Sequence, residues 1–257
     1  LLWVLPVAVL GAGADLYVFN RGDGADTIGD SAQGMMWDAK WLEWLANGPN
    51  TLVFGAGIAP EDLVTRVDNA SNHLLLDLGN GDRIDIGRQY DLAVQSVRFA
   101  DGTQLGIDSL IALRPVEVSG TADADYLTGS RFPNRIEGLA GDDTLLGGDD
   151  ADVLEGGAGN DYLAGQWGSD TYRFNLGDGA DTVSDTSALQ GWDAAGQTLL
   201  LAQPNTLAFG PGITADAITP LWDGETLTLD LGNGDSIALG RLTDVAIQAL
   251  GFDDGSS

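Results

Sequence analysis

The chain has 257 residues, of which 39 are acidic and 11 basic, so its formal net charge is −28. Such acidity repels phosphate backbones and argues against nucleic-acid binding, and no apolar run reaches the roughly 18 residues that a membrane span requires. The lack of cysteine excludes disulfides and thiolate metal sites. Asp outnumbers Glu 33 to 6, and Gly contributes 37 residues, which predicts many tight turns that present carboxylates.

The first predicted module covers residues 11–110, after an irregular start at residues 1–10. That start is apolar but has neither an initiating Met nor a positive region, so we expect part of a longer protein rather than a signal peptide. Residues 74–78 and 83–86 predict two strands, joined by the Asn-Gly turn of residues 79–82. The module is therefore expected to be rich in β-structure.

One helix is predicted inside the first module, over residues 36–46. Trp37, Trp41 and Trp44 recur there at helical spacing and would form one apolar stripe. Core packing is the interpretation that such a stripe favours, and a sugar-stacking or partner surface is the alternative. A short linker is expected at residues 111–119.

The central segment, residues 120–173, repeats with a period of nine residues in six units. Each unit opens with glycine, at Gly120, Gly129, Gly138, Gly147, Gly156 and Gly165. The sixth positions are Asp125, Asn134, Asp143, Asp152, Asp161 and Asp170. The eighth positions are Leu127, Ile136, Leu145, Leu154, Leu163 and Tyr172. We call this segment the array and number its units one to six.

A nine-residue unit predicts half a turn of a parallel coil, with a short strand and an inward apolar residue at position eight. Units two apart along the chain then stack on the same edge, about one strand spacing from each other. Their sixth-position carboxylates would face one gap together with several backbone carbonyls. Hard oxygen ligands in that number are what Ca²⁺ prefers.

The second module, residues 170–257, duplicates the first. Residues 170–175 repeat residues 15–20, and residues 205–210 repeat residues 50–55. Both copies contain the sequence GDGAD, where the carboxylates either bind a further ion or remain solvated in a turn. The sequence leaves these two interpretations open.

The array resembles the RTX (repeats-in-toxin) family, whose nonapeptide repeat binds Ca²⁺, most clearly in GGAGNDYLA and GGDDADVLE. The flanking modules, with YVFNRGDGADTI, NTLVFGAGIAPEDL, LDLGNGDRIDI and VRFADGT, resemble the haemolysin-type calcium-binding-related domain. The resemblance implies an all-β fold, in which a right-handed parallel β-roll of nonapeptides is flanked by two duplicated β-rich modules. It also implies folding that depends on Ca²⁺ and export by the type I secretion machinery.

The resemblance further implies three calcium sites. In that family one turn supplies its Asp and the carbonyls of positions two and four, and the turn two units later supplies its Asp and the carbonyls of positions one and three. The first site joins Leu139, Gly141 and Asp143 to Gly156, Ala158 and Asp161. The second joins Gly148, Asp150 and Asp152 to Gly165, Trp167 and Asp170. The third joins Thr121, Asp123 and Asp125 to Gly138, Ala140 and Asp143. Unit two departs from the pattern at Phe132, Pro133 and Asn134, which puts a site there in question.

The sequence has no GxSxG, HExxH or Walker motif, so we expect no catalytic residues. The predicted function is a calcium-binding structural segment of a larger secreted bacterial protein, extracellular or at the cell surface. Two alternatives remain: an adhesin or matrix module that binds glycans or a cell-surface target, and the C-terminal part of a secreted hydrolase or toxin.

Overall fold

The computed structural model describes residues 7–8, 15–29, 50–68, 71, 73–88, 91–185, 189–192, 199–201, 205–239 and 247–253. The predicted helix at residues 36–46, with its three tryptophans, lies outside these residues. The chain divides into two compact units, Leu1–Glu117 and Val118–Ser257. The division falls inside the stretch of residues 111–119 that we predicted as a linker.

Eleven strands begin among the described residues of the first unit. They are β1 (Val7–Ala8), β2 (Leu16–Phe19), β3 (Ala25–Ile28), β4 (Thr51–Phe54), β5 (Val64–Asp68), β6 (His73–Gly79), β7 (Asp82–Arg88), β8 (Asp91–Leu92), β9 (Ser96–Arg98), β10 (Gln104–Gly106) and β11 (Val116–Ser119). The described residues of the unit also include a 3₁₀ turn at Pro60–Asp62 and helix α1 (Ile107–Leu113). Strand β1 lies in the expected irregular start, and β11 lies in the expected linker.

The predicted hairpin of the first module is confirmed by β6 and β7, which pair antiparallel. Its turn residues Asn80 and Gly81 have φ angles of 55° and 91°, the positive values that a type I′ turn requires. Asn233 and Gly234 adopt almost the same angles in the second module, 55° and 98°. The duplicated Asn-Gly sequence therefore forms the same turn in both modules.

In the part of the second unit that the structure describes, there are fourteen further strands. They are β12 (Tyr126–Thr128), β13 (Asn134–Ala140), β14 (Thr144–Gly148), β15 (Val153–Ala158), β16 (Tyr162–Gln166), β17 (Thr171–Phe174), β18 (Ala180–Val183), β19 (Leu189–Trp192), β20 (Leu199–Leu201), β21 (Asn205–Phe209), β22 (Thr219–Trp222), β23 (Leu227–Gly232), β24 (Asp235–Ala238) and β25 (Ile247–Phe252). A 3₁₀ turn occupies Ala215–Ala217.

The array strands form two parallel ladders, as predicted for a β-roll. Units one, three and five supply β12, β14 and β16, and units two, four and six supply β13, β15 and β17. Tyr126 pairs with Thr144, and Thr144 pairs with Tyr162, so neighbouring strands come from units two apart. Both ladders continue into the second module, through β18 and β24 on one side and β21 and β25 on the other.

Five of the six array strands are longer than three residues, and only β12 has three. Strand β13 has seven residues and β15 has six. The ladder between them extends into the turns, since Leu139 pairs with Gly157 and Ala140 with Ala158. Turn residues therefore take part in strand pairing as well as in the bend.

The core of the array is the stack of eighth-position side chains, all of which are buried. Beyond the array the stack is aromatic: Phe209 lies 5.1 Å from Phe252 and 6.5 Å from Phe174 between ring centroids. The first module has the same arrangement, with Phe54 lying 5.1 Å from Phe99. The two modules thus share a packing scheme as well as a sequence pattern.

Among the residues that the structure describes, no helix has both the length and the apolar character needed to cross a membrane.

Candidate metal centre

The turns of units three to six use left-handed backbone at positions two and four. Three of these positions are not glycine: Leu139, Asp150 and Gln166 have φ angles of 81°, 62° and 74°. A left-handed conformation costs a residue with a Cβ atom roughly 1–2 kcal/mol. The surrounding ladder must hold these residues in place, and the conformation bends the chain around each gap between turns.

The sixth-position aspartates tie each turn to the turn two units earlier. The backbone N–H of Asp125 donates to Oδ1 of Asp143 at 2.7 Å, and the N–H of Asp143 donates to Oδ1 of Asp161 at 2.8 Å. On the other edge, the N–H of Asp152 donates to Oδ1 of Asp170 at 2.9 Å. One carboxylate oxygen of each aspartate is therefore part of the fold itself.

The second carboxylate oxygen has no partner at four of these positions. In the array, whose residues are all described, the buried Oδ2 atoms of Asp143, Asp152, Asp161 and Asp170 have no hydrogen-bond partner. The four residues are only 1–2% exposed. A buried ionised oxygen without a partner is strongly unfavourable unless a cation neutralises it. These four atoms mark places where positive charge would stabilise the fold.

Glycines leave open space beside these oxygens. A Cβ atom on Gly138 would overlap both Oδ2 of Asp143 and the carbonyl oxygen of Gly156. A Cβ atom on Gly147 would likewise overlap Oδ2 of Asp152 and the carbonyl oxygen of Gly165. An unpartnered carboxylate oxygen and a carbonyl from two units later thus border one small space, which suits a hard cation such as Ca²⁺.

Burial also raises the pKa of these carboxyl groups. The pKa of Asp152 is raised to about 8, that of Asp170 to about 7 and that of Asp161 to about 6, in each case mainly by desolvation. Burial raises the pKa of Asp143 as well. Without a cation, burial therefore shifts each of these carboxyl groups toward its neutral form.

Side chains alone do not assemble a metal site here. Across the described ranges, no three His, Cys, Asp or Glu side chains converge closely enough to hold an ion. Backbone carbonyls would therefore have to supply most of the ligands, as the RTX resemblance implies.

Two predicted ligands of each of the first two sites lie near each other in the structure. Oδ2 of Asp143 and the carbonyl oxygen of Gly156 both border Gly138, and Oδ2 of Asp152 and the carbonyl oxygen of Gly165 both border Gly147. Some of the predicted carbonyls also accept ladder hydrogen bonds: Ala158 from Gly141 at 2.9 Å, and Gly148 from Trp167 at 3.0 Å. A carbonyl oxygen has two lone pairs, so one remains for an ion.

The third predicted site differs from the other two. Oδ2 of Asp125 already accepts hydrogen bonds from the backbone N–H and the hydroxyl of Thr121, at 2.6 and 2.8 Å. Neither Thr121 nor Asp123 adopts the left-handed backbone seen at the equivalent positions of later units. Oδ2 of Asp125 is therefore already hydrogen-bonded within the first turn. A cation would stabilise this carboxylate less than the unpartnered carboxylates of later units.

In unit two the side-chain amide of Asn134 occupies the place of a cation. Its Nδ2 group donates at 2.7 Å to Oδ1 of Asp152 and at 3.3 Å to the carbonyl of Gly147, and also contacts the carbonyls of Phe132 and Ser130. Ser130 and Phe132 stand at positions two and four of unit two, and Gly147 stands at position one of unit four. These are carbonyl positions that the resemblance assigns to a calcium site. The sequence indicated that unit two departs from the pattern. It did not indicate that the amide of Asn134 would hydrogen-bond to the oxygens of this gap.

The GDGAD segment of the second module also joins the array. The backbone N–H of Asp161 donates to Oδ1 of Asp181 at 2.9 Å, which is the contact that links the sixth positions within the array. Asp181 lies in the GDGAD segment, for which the sequence left open whether the carboxylates bind an ion, and it was not assigned to any of the three predicted sites. Its spacing of 20 residues from Asp161, instead of 18, hides it from a search for a nine-residue period.

The array is similar to a known family of calcium-binding repeats. Residues 119–154 and 146–183 match the model of the RTX calcium-binding nonapeptide repeat (4 copies), a family that binds Ca²⁺. No curated protein matches the chain. Among solved structures, the chain is similar to the extracellular lipase LipA from Serratia marcescens, with 18% identity and a TM-score of 0.35.

The similarity to the lipase covers 98% of this chain and 37% of that chain, so this chain spans little more than a third of the lipase's length. The family match covers the array and the start of the second module, whereas the relationship of the flanking modules to the haemolysin-related domain stays a prediction. Residues 119–183 are therefore the part of this chain that is similar to the RTX calcium-binding nonapeptide repeat.

Proposed function

We propose that this chain is a non-catalytic, calcium-binding structural segment of a larger secreted bacterial protein. In this proposal type I machinery exports the unfolded chain, and extracellular Ca²⁺ then drives the array to fold. The observation that carries the proposal is the set of four buried Oδ2 atoms, on Asp143, Asp152, Asp161 and Asp170, that have no partner.

The charge balance supports conditional folding. Residues 120–173 contain 9 Asp and 2 Glu against 3 Arg, a net charge of −8. Each nonapeptide contributes one inward apolar side chain, while ordering the backbone costs roughly 1–2 kcal/mol per residue. The metal-free array therefore combines a small core with mutual repulsion of its carboxylates.

Calcium would reverse this balance. When bound, it would supply the positive charge and accept the lone pairs of the carboxylate and carbonyl oxygens that border each gap. Extracellular calcium modules bind at roughly 10⁻⁴–10⁻³ M, well above cytosolic calcium levels. A ligand that binds only the folded state stabilises it in proportion to the logarithm of its concentration. The array would thus fold outside the cell and remain competent for export inside it.

The residues of the chain have distinct parts in this process. Oδ1 of each sixth-position aspartate fixes the register between stacked turns, and Oδ2 with the nearby carbonyls would hold the ion. The left-handed turns aim those carbonyls at the gap. Asn134 performs the same linking without an ion, so one pair of turns is joined before calcium arrives.

A circular dichroism titration of the full chain tests the proposal. Metal-free protein should gain β signal and a cooperative transition as Ca²⁺ reaches millimolar concentration. Mg²⁺ at the same concentration should have a much smaller effect, because it requires a tight octahedral shell and retains its waters. Identical spectra with chelator and with millimolar Ca²⁺ would contradict calcium-driven folding.

A further inference from the structure

We infer that the second module docks a further helix–strand segment, built like residues 104–119 of the first module, in an apolar groove beside strands β22 and β25. The inference goes beyond the proposed function and rests on it only in placing that segment after residue 257 of the larger protein. The groove encloses about 660 Å³, and its lining includes Ala215, Ile218, Pro220, Leu229, Leu250 and Phe252.

The surface of the groove has a counterpart in the first module, because the two modules repeat the same strand pairs. Pro220 pairs with Leu229 across β22 and β23. At the matching place, Thr65 pairs with Leu76 across β5 and β6. Strand β25 pairs with β21 in the same parallel manner as β9 pairs with β4. What covers this surface in the first module therefore indicates what the second module can bind.

The two modules differ in the exposure of this surface. Val97 is fully buried in the first module, whereas its counterpart Leu250 is 38% exposed. Thr65 is likewise buried, whereas its counterpart Pro220 is exposed. The second module thus presents to solvent an apolar surface that the first module buries. Contiguous exposed apolar surface is typical of interaction sites.

Two short strands and a helix cover the surface in the first module. Strand β10 pairs with β9, the counterpart of part of β25. Helix α1 follows and packs on β9 and β10, with its apolar residues Ile107, Leu110 and Ile111 buried. Strand β11 then pairs with β5, the counterpart of β22. The covering segment is therefore an amphipathic helix between two strands that extend neighbouring sheets.

Hydrogen bonds fix the covering segment to the walls of the surface. The N–H of Ile107 donates to the carbonyl of Gln95 at 3.0 Å, at the start of α1. After the helix, the hydroxyl of Thr65 donates to the carbonyl of Arg114 at 2.6 Å, and the guanidinium of Arg114 donates to the carbonyl of Pro60 at 3.3 Å. Gln95, Thr65 and Pro60 are the counterparts of three residues that line the groove.

The strands beside the groove have sheet edges that a docked segment can use. Among the described residues, β22 and β25 each stand at the end of their sheets. An edge strand presents a row of unpaired N–H and carbonyl groups. In the first module the corresponding edges are paired with β11 and β10. A docked segment would therefore gain backbone hydrogen bonds in addition to apolar contacts.

Differences between the modules specify the chemistry of the docked segment. Leu221 and Trp222 stand on β22 where β5 has Arg66 and Val67, and they are 48% and 49% exposed. In the first module Arg66 forms an ion pair with Glu117 of β11 at 3.4 Å. Because leucine cannot pair with a carboxylate, the docked strand should carry an apolar residue in place of Glu117. The occupant is thus a helix with apolar residues at i, i+3 and i+4, followed by an apolar strand.

The duplication also indicates where this segment comes from. In the first module the covering segment begins two residues after the sequence Asp101-Gly102, which the second module repeats as Asp254-Gly255. A segment that follows residue 257 in the larger protein would reach the groove along the same path. Its tether would also raise its effective concentration at the groove.

Extending the full chain after Ser257 by a copy of its own residues 105–119 tests the inference. Ser257 corresponds to Gln104, so the copy has the spacing of the first module. A matched extension carries Leu110→Asp and Ile111→Asp within the copied segment only. Hydrogen exchange in millimolar calcium compares these two chains with the unextended chain.

Amides of β22 and β25 should exchange at least about tenfold more slowly in the chain with the unchanged copy than in the unextended chain. The extension with the two aspartates should have no such effect. Ala249→Arg, which places a long charged side chain in the groove, should abolish the slowing when extended and unextended forms of that variant are compared. The inference is overturned if the unchanged copy does not slow exchange, or if the slowing persists in either control.

A second copy of the chain in the groove would give a different result. Strands β22 and β25 would then be protected in the unextended chain and lose this protection on dilution, which would also overturn the inference. The proposed function is judged separately in the same data, by whether calcium changes the exchange of residues 120–173.

Discussion

At the residue scale, the sixth position of each repeat decides how two turns are joined. Aspartate links them with one oxygen and leaves the other for a cation, as at Asp143 and Asp152. Asparagine at position 134 joins two turns without an ion. Its amide N–H groups donate to the carbonyl of Gly147 and to Asp152, oxygens that a cation would otherwise bind. Under the proposed function, a nitrogen or an oxygen at this one position would therefore separate a turn that folds without calcium from a turn that needs it.

Replacing this amide should create a calcium site. In Asn134→Asp, a carboxylate would face the carbonyls of Ser130 and Gly147, and we expect one additional bound ion together with a less stable metal-free protein. Asn134→Ala is the control: it should add no ion and should cost about 1–3 kcal/mol for the buried polar groups left unpaired. Calorimetric titration gives both ion numbers, and an unchanged count in Asn134→Asp would show that the amide does not occupy an ion position.

The raised pKa values predict how the metal-free protein responds to pH. The carboxyl of Asp152 has a pKa of about 8 in the folded protein against 3.8 as its ordinary value, so between these limits the folded state holds protons that the unfolded chain has released. The free energy of unfolding of the metal-free protein should therefore fall as pH rises through this range. Urea unfolding at about pH 5 and about pH 8 measures the difference.

Saturating calcium should weaken this pH dependence, because the cation takes over the role of the bound protons. Asp152→Asn should weaken it without calcium, since it removes the carboxyl with the pKa of about 8. A metal-free protein that becomes more stable on going from pH 5 to pH 8 would contradict the assignment.

At the scale of single elements, each turn is shaped by where a Cβ atom can be tolerated. Gly157 has a φ angle of 93°, and a Cβ atom there would overlap the backbone carbonyl of Leu139. Leu139 itself is left-handed at 81°, but its side chain is about half exposed. The same conformation is thus required at both positions, and only at Gly157 does the backbone approach require glycine as well.

Two substitutions should consequently act in opposite directions. Gly157→Ala should destabilise the calcium-saturated protein by more than about 1 kcal/mol, because the new Cβ atom meets backbone that must shift. Leu139→Gly should be neutral or stabilising by up to about 1 kcal/mol, since it removes a strained Cβ atom. Thermal unfolding in millimolar calcium compares the two, and equal losses of stability would show that the left-handed turns are not under this constraint.

Much of the fold can be predicted from the nine-residue period and from turn chemistry. Other features depend on contacts that neither of them specifies. The nine-residue period predicts the pairing of Thr144 with Tyr162 and the buried eighth positions, and Asn-Gly predicts the hairpin turn. The period cannot reveal that Asp181 contacts the array, because its spacing of 20 residues from Asp161 departs from the 18 residues between linked aspartates. It also cannot show that Thr121 satisfies Asp125, since that depends on the hydroxyl and the backbone of one particular turn.

At the scale of the whole molecule, duplication reproduces hydrogen bonds as well as strands. Asp82 accepts from the N–H groups of Gly22 and Gly24, and Asp235 accepts from those of Gly177 and Gly179. These turns are closed by carboxylates from the same module. The modules also have aromatic stacks, so we expect them to retain structure under conditions in which the array unfolds.

Hydrogen exchange of the full chain, measured with chelator and with millimolar calcium, tests the central claim most directly. Amides of residues 120–173 should exchange much faster in chelator than in calcium, because cations neutralise the buried carboxylates between stacked turns. Strands β6 and β7 and strands β23 and β24 should be protected under both conditions. Equal protection of residues 120–173 with and without calcium would contradict the account.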